Sequence, residues 1–83
     1  MTDMLEIARR QRLVEINTEP KGRQALAAVY GRVWDAEELR AEFEVVGFMA
    51  PFLGVRRKSD GQNGSLEFQH HPRFYFSFVP DKP

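Results

Sequence analysis

Hydrophobic and polar residues alternate through the second half of the chain. Phe74, Phe76 and Phe78 are separated by Tyr75 and Ser77, Leu66 and Phe68 stand among Ser65, Glu67 and Gln69, and Leu53 and Val55 stand beside Gly54 and Arg56. A period of two sends every second side chain to one face of a strand. Residues 44–79 therefore predict an antiparallel meander with Phe74, Phe76 and Phe78 on one face. Asp60-Gly61 is a strong hairpin signal, because both central positions of a type I′ turn need positive φ. Centring the turn there sets Val55 opposite Leu66 and Leu53 opposite Phe68. At the next corner a loop of His70, His71 and Pro72 sets Phe68 opposite Phe74 and Leu66 opposite Phe76. A turn on His71-Pro72 alone would instead pair Phe68 with Tyr75 and send the phenylalanines the other way.

The first half changes period. Leu26, Val29, Tyr30, Val33 and Trp34 fall at i, i+3, i+4, i+7 and i+8, the spacing of one apolar helical stripe. Thr18 is a plausible cap ahead of this helix, with Pro20 in its first turn. Asp35 then restarts the chain as an N-cap, with Glu38 three residues on completing a capping box. Trp34 and Leu39 hold the positions of a hydrophobic staple, and the new helix runs to about Phe43. Upstream, Met1 to Asn17 reads as a helix capped by Asp3, although Leu13-Val14-Glu15-Ile16 alone also fits a short strand. Val45-Val46-Gly47-Phe48 has strand character interrupted by Gly47 and Pro51, so it reads as an edge strand or a bent lead-in to Phe52.

These elements predict a single α+β domain over residues 1–83: two or three N-terminal helices on one face of a three- or four-stranded antiparallel meander. Residues 1–18 form a helix that need not be tightly attached, residues 19–43 are helical, residues 44–79 form the meander and residues 80–83 are a tail.

Composition narrows the chemistry. A chain of 83 residues sits near the size where one core is only marginally sufficient. One Trp, two Tyr and seven Phe help, since each ring buries a large area. With no cysteine, a disulfide framework, a thiolate metal site and a cysteine nucleophile are excluded. No apolar run reaches the length of a membrane span, and charges near the N-terminus interrupt the apolar segment a signal peptide needs. A cytoplasmic setting without membrane contact is the resulting expectation. Net charge is zero, so no wholesale attraction to polyanions is indicated. Residues 34–54 are acidic, and the flanks are mildly basic.

No catalytic constellation is visible. His70 and His71 are adjacent and point apart in extended chain, so they do not share a metal, and no third ligand stands at a useful spacing. The serines lack a base, and no glycine-rich phosphate loop opens a helix. Neither an enzyme, a cofactor nor a metal is expected. Two surfaces remain. Phe48, Met49 and Phe52 exceed what so small a domain readily buries, and with a sheet edge they point to a protein partner or a second copy of the chain. Arg56, Lys58, Arg73 and Tyr75 would project from the outer sheet face, a basic and aromatic mixture suited to single-stranded nucleic acid or RNA. The string Arg73-Phe74-Tyr75-Phe76-Ser77-Phe78 resembles the aromatic strand of RNA-recognition sheets, although it lacks their glycine. The residues favour a non-catalytic module for protein interaction or self-association through Phe48–Phe52, with nucleic-acid binding as the alternative.

Overall fold

The computed structural model describes residues 4–81. The Asp3 cap and the tail residues Lys82 and Pro83 fall outside that range. Three helices, α1 (Met4–Thr18), α2 (Arg23–Tyr30) and α3 (Ala36–Glu42), accompany five strands. The strands are β1 (Val33–Trp34), β2 (Phe43–Met49), β3 (Phe52–Arg57), β4 (Asn63–Gln69) and β5 (Phe74–Pro80). They form one antiparallel sheet in the order β1-β5-β4-β3-β2. The α+β class stands, with more strands than the hydrophobic pattern indicated.

The extra strand comes from a glycine. The stripe from Leu26 to Trp34 reads as one helix, but Gly31 has φ +84°, a left-handed value that a helix interior does not tolerate. Its N–H donates to the Ala27 carbonyl (3.0 Å) and ends α2 at Tyr30. Val33 and Trp34 are thereby released to pair with Phe76 and Tyr75. The N-terminal end of α2 also differs from the Thr18 and Pro20 expectation. Gly22 occupies the N-cap and supplies no side-chain bond. At α3 the local chemistry acts as the sequence indicates. Glu38 N–H donates to Asp35 Oδ1 (2.7 Å), and Asp35 N–H donates to Glu38 Oε1 (3.0 Å). Trp34 and Leu39 are buried in the same cluster.

Both hairpins depart from the expected register. The β3–β4 loop spans residues 58–62, and Asp60 Oδ1 accepts the Gln62 N–H (3.0 Å) in an Asx turn while pairing with Arg57. Leu53 therefore faces Leu66, and Val55 faces Gly64. The slip is an even number of residues, so the apolar side chains keep their common face. At the β4–β5 corner residues 70–73 form the loop, Gln69 faces Phe74 and Phe68 faces Tyr75. Here the change is odd, and the faces exchange. Tyr75 turns into the core instead of outward, while Phe74 and Phe76 point to the opposite side.

A second irregularity restores part of the pattern. Ser65 faces Val79 and Glu67 faces Phe76, leaving Ser77 and Phe78 together opposite Leu66. Ser77 has φ +57°, and this bulge carries Phe78 back to Tyr75's side of the sheet. Phe78 then meets Phe43 with ring centroids 5.3 Å apart. Gly64 makes room for it: a Cβ there would lie 2.6 Å from Phe78 Cε2 and 2.6 Å from the Val79 carbonyl oxygen.

The sheet consequently carries helices on both faces, which corrects the expectation of a single helical layer. On one side α3 delivers Leu39, flanked by Trp34 and Phe43, onto Leu53, Val55, Leu66, Phe68 and Tyr75. On the other, Ile16 of α1 and Leu26 of α2 cluster with Val33 and Phe76, and Tyr30 stacks on Phe76 at 4.4 Å. Helix α1 runs unbroken through Leu13–Ile16, and Ile16 is its buried residue. It is further fixed by Arg12, whose Nε donates to Glu67 Oε2 (2.5 Å) and Nη2 to the Tyr30 hydroxyl (3.2 Å). The hydrogen bond to Glu67 is the main reason the Arg12 guanidinium pKa lies above its ordinary value. Gln69, buried between layers, has both amide atoms satisfied by Lys21 and Pro72 backbone groups.

Candidate interaction edge

β2 closes one side of the sheet. It pairs with β3 along one edge and, among the described residues, with no strand along the other. An edge strand leaves a row of N–H and C=O groups open, and natural proteins usually blunt such rows with charges or proline. β2 has neither device inside Val45–Met49. Its one charged residue is Glu44, paired with Arg56 of β3 at 3.4 Å. A bulge between Val45 and Gly47 is the single irregularity, with Val46 as the extra residue.

The side chains along this edge are apolar and wet. Val45, Val46, Phe48 and Met49 retain 50%, 61%, 66% and 54% of their surface, high for residues of this type. Register assigns their directions. Val45 stands beside Val55 and Phe48 beside Leu53, on the α3 side of the sheet. There the Phe48 ring leans on Phe68, with centroids 5.4 Å apart. Glu44, Val46 and Met49 belong to the other side, with Arg56, Gly54 and Phe52. Phe52 is half-buried between Met49 and Glu67. Phe48, Met49 and Phe52 thus gather on one edge, but on two faces of it. Val45 and Val46 join them; their β-branched, uncharged run is the signal for an edge strand, and Gly47, which interrupts that run, stands at the bulge.

The basic and aromatic set does not assemble. Tyr75 keeps only 8% of its surface, because the β4–β5 corner reverses its face. Arg56 lies on the side that α1 and α2 cover, beside Glu44. Arg73 lies on the opposite side, its guanidinium 4.9 Å above the Phe68 ring. Lys58 Nζ donates to the Arg40 carbonyl (2.6 Å) and so completes the C-terminal end of α3.

Other polar groupings are internally matched. A cleft of about 480 Å³ is lined by Arg32, Glu42, Arg57, Lys58 and Ser59. Arg32 is bonded to Glu42 and lies over Trp34 (4.8 Å), Arg57 is bonded to Asp60 (2.7 Å), and Lys58 is held by α3. These cations stabilise the carboxylates and the helix end around them. The His70 ring sits edge-on to Phe68 at 5.3 Å, and the His70 backbone N–H donates to Asn17 Oδ1. Among the described residues no three His, Cys, Asp or Glu side chains gather as metal ligands, and no helix is long and apolar enough to cross a membrane.

No protein-family model matches the chain, and neither the curated proteins nor the solved structures compared with it gave a match.

Proposed function

We propose that the chain is a non-catalytic protein-binding module that accepts a strand from its partner along the free edge of β2. The observation that carries this reading is the pairing of an open backbone row with exposed apolar side chains on both faces of the same strand. An added strand satisfies the row with main-chain hydrogen bonds, and its alternate side chains cover both faces at once. A helix or a small molecule resting on one face would leave the other wet. The nucleic-acid alternative loses its stacking ring with Tyr75 and its contiguous cations with Arg56 and Arg73 on opposite sides.

The test uses a tagged copy returned to its native host, in wild-type form and as Val46→Lys. Val46 is exposed, so the fold should be kept, which circular dichroism checks. The reading predicts a near-stoichiometric protein retained by the wild type and lost by the folded variant. Identical retained proteins for both forms would refute it.

A further inference from the structure

We infer that the strand completing β2 is β2 of a second copy of this chain, joined antiparallel across a two-fold axis normal to the sheet. This rests on the strand-addition reading above and names its partner.

The occupant must bring apolar side chains on both faces and must tolerate an uncharged, bulged edge. β2 itself meets both conditions. A two-fold axis normal to the sheet keeps each face continuous, so only residues on the same face can stand opposite each other. The bulge makes this demanding, since Val45 and Phe48 share one face while Glu44, Val46 and Met49 share the other. One register matches faces along the whole of residues 44–49. In it Val45 faces the partner's Phe48, Val46 faces the partner's Gly47 and Glu44 faces the partner's Met49. The largest exposed ring receives a β-branched neighbour, a favourable cross-strand combination. Val46, the bulged residue, meets a position without a side chain.

Charge is compatible with this pairing. The two Glu44 carboxylates stand at opposite ends of the joined strands, about 17 Å apart at roughly 3.3 Å per residue. That separation is about twice the screening length of roughly 8 Å at physiological salt. Each carboxylate also keeps its own Arg56. The joined sheet ends on the two β1 strands, each only Val33–Trp34, so the interface closes on itself and does not propagate through β2. One strand pair buries less than the roughly 800 Å² per partner of a standard interface. The dimer should therefore be a weak, concentration-dependent one.

The test is sedimentation equilibrium of the full chain from about 5 µM to 1 mM, with Val46→Lys as the edge variant. The expected result is a monomer–dimer equilibrium that Val46→Lys weakens at least tenfold while the variant keeps its wild-type circular dichroism. The register has its own readout, because the chain contains no cysteine. Mixing Val45→Cys with Phe48→Cys under mild oxidation should give a covalent heterodimer, whereas neither protein alone should cross-link efficiently. A strict monomer at 1 mM overturns the self-pairing but not strand addition, which the host experiment judges separately. A dimer indifferent to Val46→Lys likewise overturns the self-pairing through β2 and leaves strand addition to the host experiment. Growth beyond the dimer overturns the closed two-fold arrangement, and cross-linking of Val45→Cys with itself overturns the register.

Discussion

Replacing Arg12 with alanine should loosen α1 from the sheet and reveal what that helix contributes. Arg12 reaches both Glu67 oxygens, at 2.5 and 3.3 Å, and the Tyr30 hydroxyl at 3.2 Å. Its guanidinium also lies 5.7 Å from the Tyr30 ring centroid. The two side chains retain 29% and 17% of their surface, so the pair is neither fully wet nor dry. Exposed ion pairs contribute about 0–1 kcal/mol, and hydrogen bonds to charged groups about 1.5–3 kcal/mol. A cost near 2 kcal/mol follows for Arg12→Ala, because Glu67 has no other ion-pair partner among the described residues. At about 4–8 °C per kcal/mol for a domain of this size, Tm should fall by roughly 8–16 °C. Glu67→Leu combined with Arg12→Leu should recover most of that loss, since replacing both charges by apolar groups avoids the stranded carboxylate. Urea and thermal unfolding followed by circular dichroism would measure Arg12→Ala, Arg12→Leu, Glu67→Leu and the double variant. A cost below about 0.5 kcal/mol for Arg12→Ala would refute the anchor, as would a double variant as unstable as the two single changes summed.

The remaining expectations concern the sheet and the acid limb. Gly64→Ala should destabilise by about 1–3 kcal/mol, since the new methyl meets Phe78 and the Val79 carbonyl at 2.6 Å; an unchanged urea midpoint would contradict the packing at the bulge. Glu38 has its pKa lowered to about 2, chiefly by Arg23 and then by the Asp35 backbone N–H. Asp60 is likewise lowered to about 2, chiefly by Arg57 and then by the Gln62 N–H. Folded pKa values below the unfolded ones of 4.5 and 3.8 mean that their stabilisation is complete above about pH 4.5. It fades as pH falls through about 2. Stability measured from pH 6 to pH 2 should therefore decline on the acid side, less steeply in Glu38→Gln with Asp60→Asn; equal slopes would contradict the assignment.

Much of the architecture is legible in the residues, and the failures have specific causes. The Asp35–Glu38 box is readable because capping is local: four consecutive positions contain all its chemistry. The apolar surplus at Phe48 and Met49 is readable because a small chain has limited interior. The face of Tyr75 is not, because it depends on whether the β4–β5 loop holds an odd or even count, and the string His70-His71-Pro72-Arg73 fits either. Ser77 carries no sign that it would take a left-handed φ; a glycine there would have announced the bulge. The separation of β1 from α2 was marked by Gly31, but the apolar spacing continued straight across it. Each miss moves side chains between faces, which is why the outer basic surface dissolved while the β2 edge remained.

Amide hydrogen exchange along β2, read residue by residue at low and high protein concentration, tests the central claim most directly. The account predicts that amides within Val45–Met49 gain protection as concentration rises, or on adding the partner recovered from the host, while β4 stays at its global level throughout. Protection appearing instead on α1 or β1, with β2 unchanged in the bound state, would contradict it.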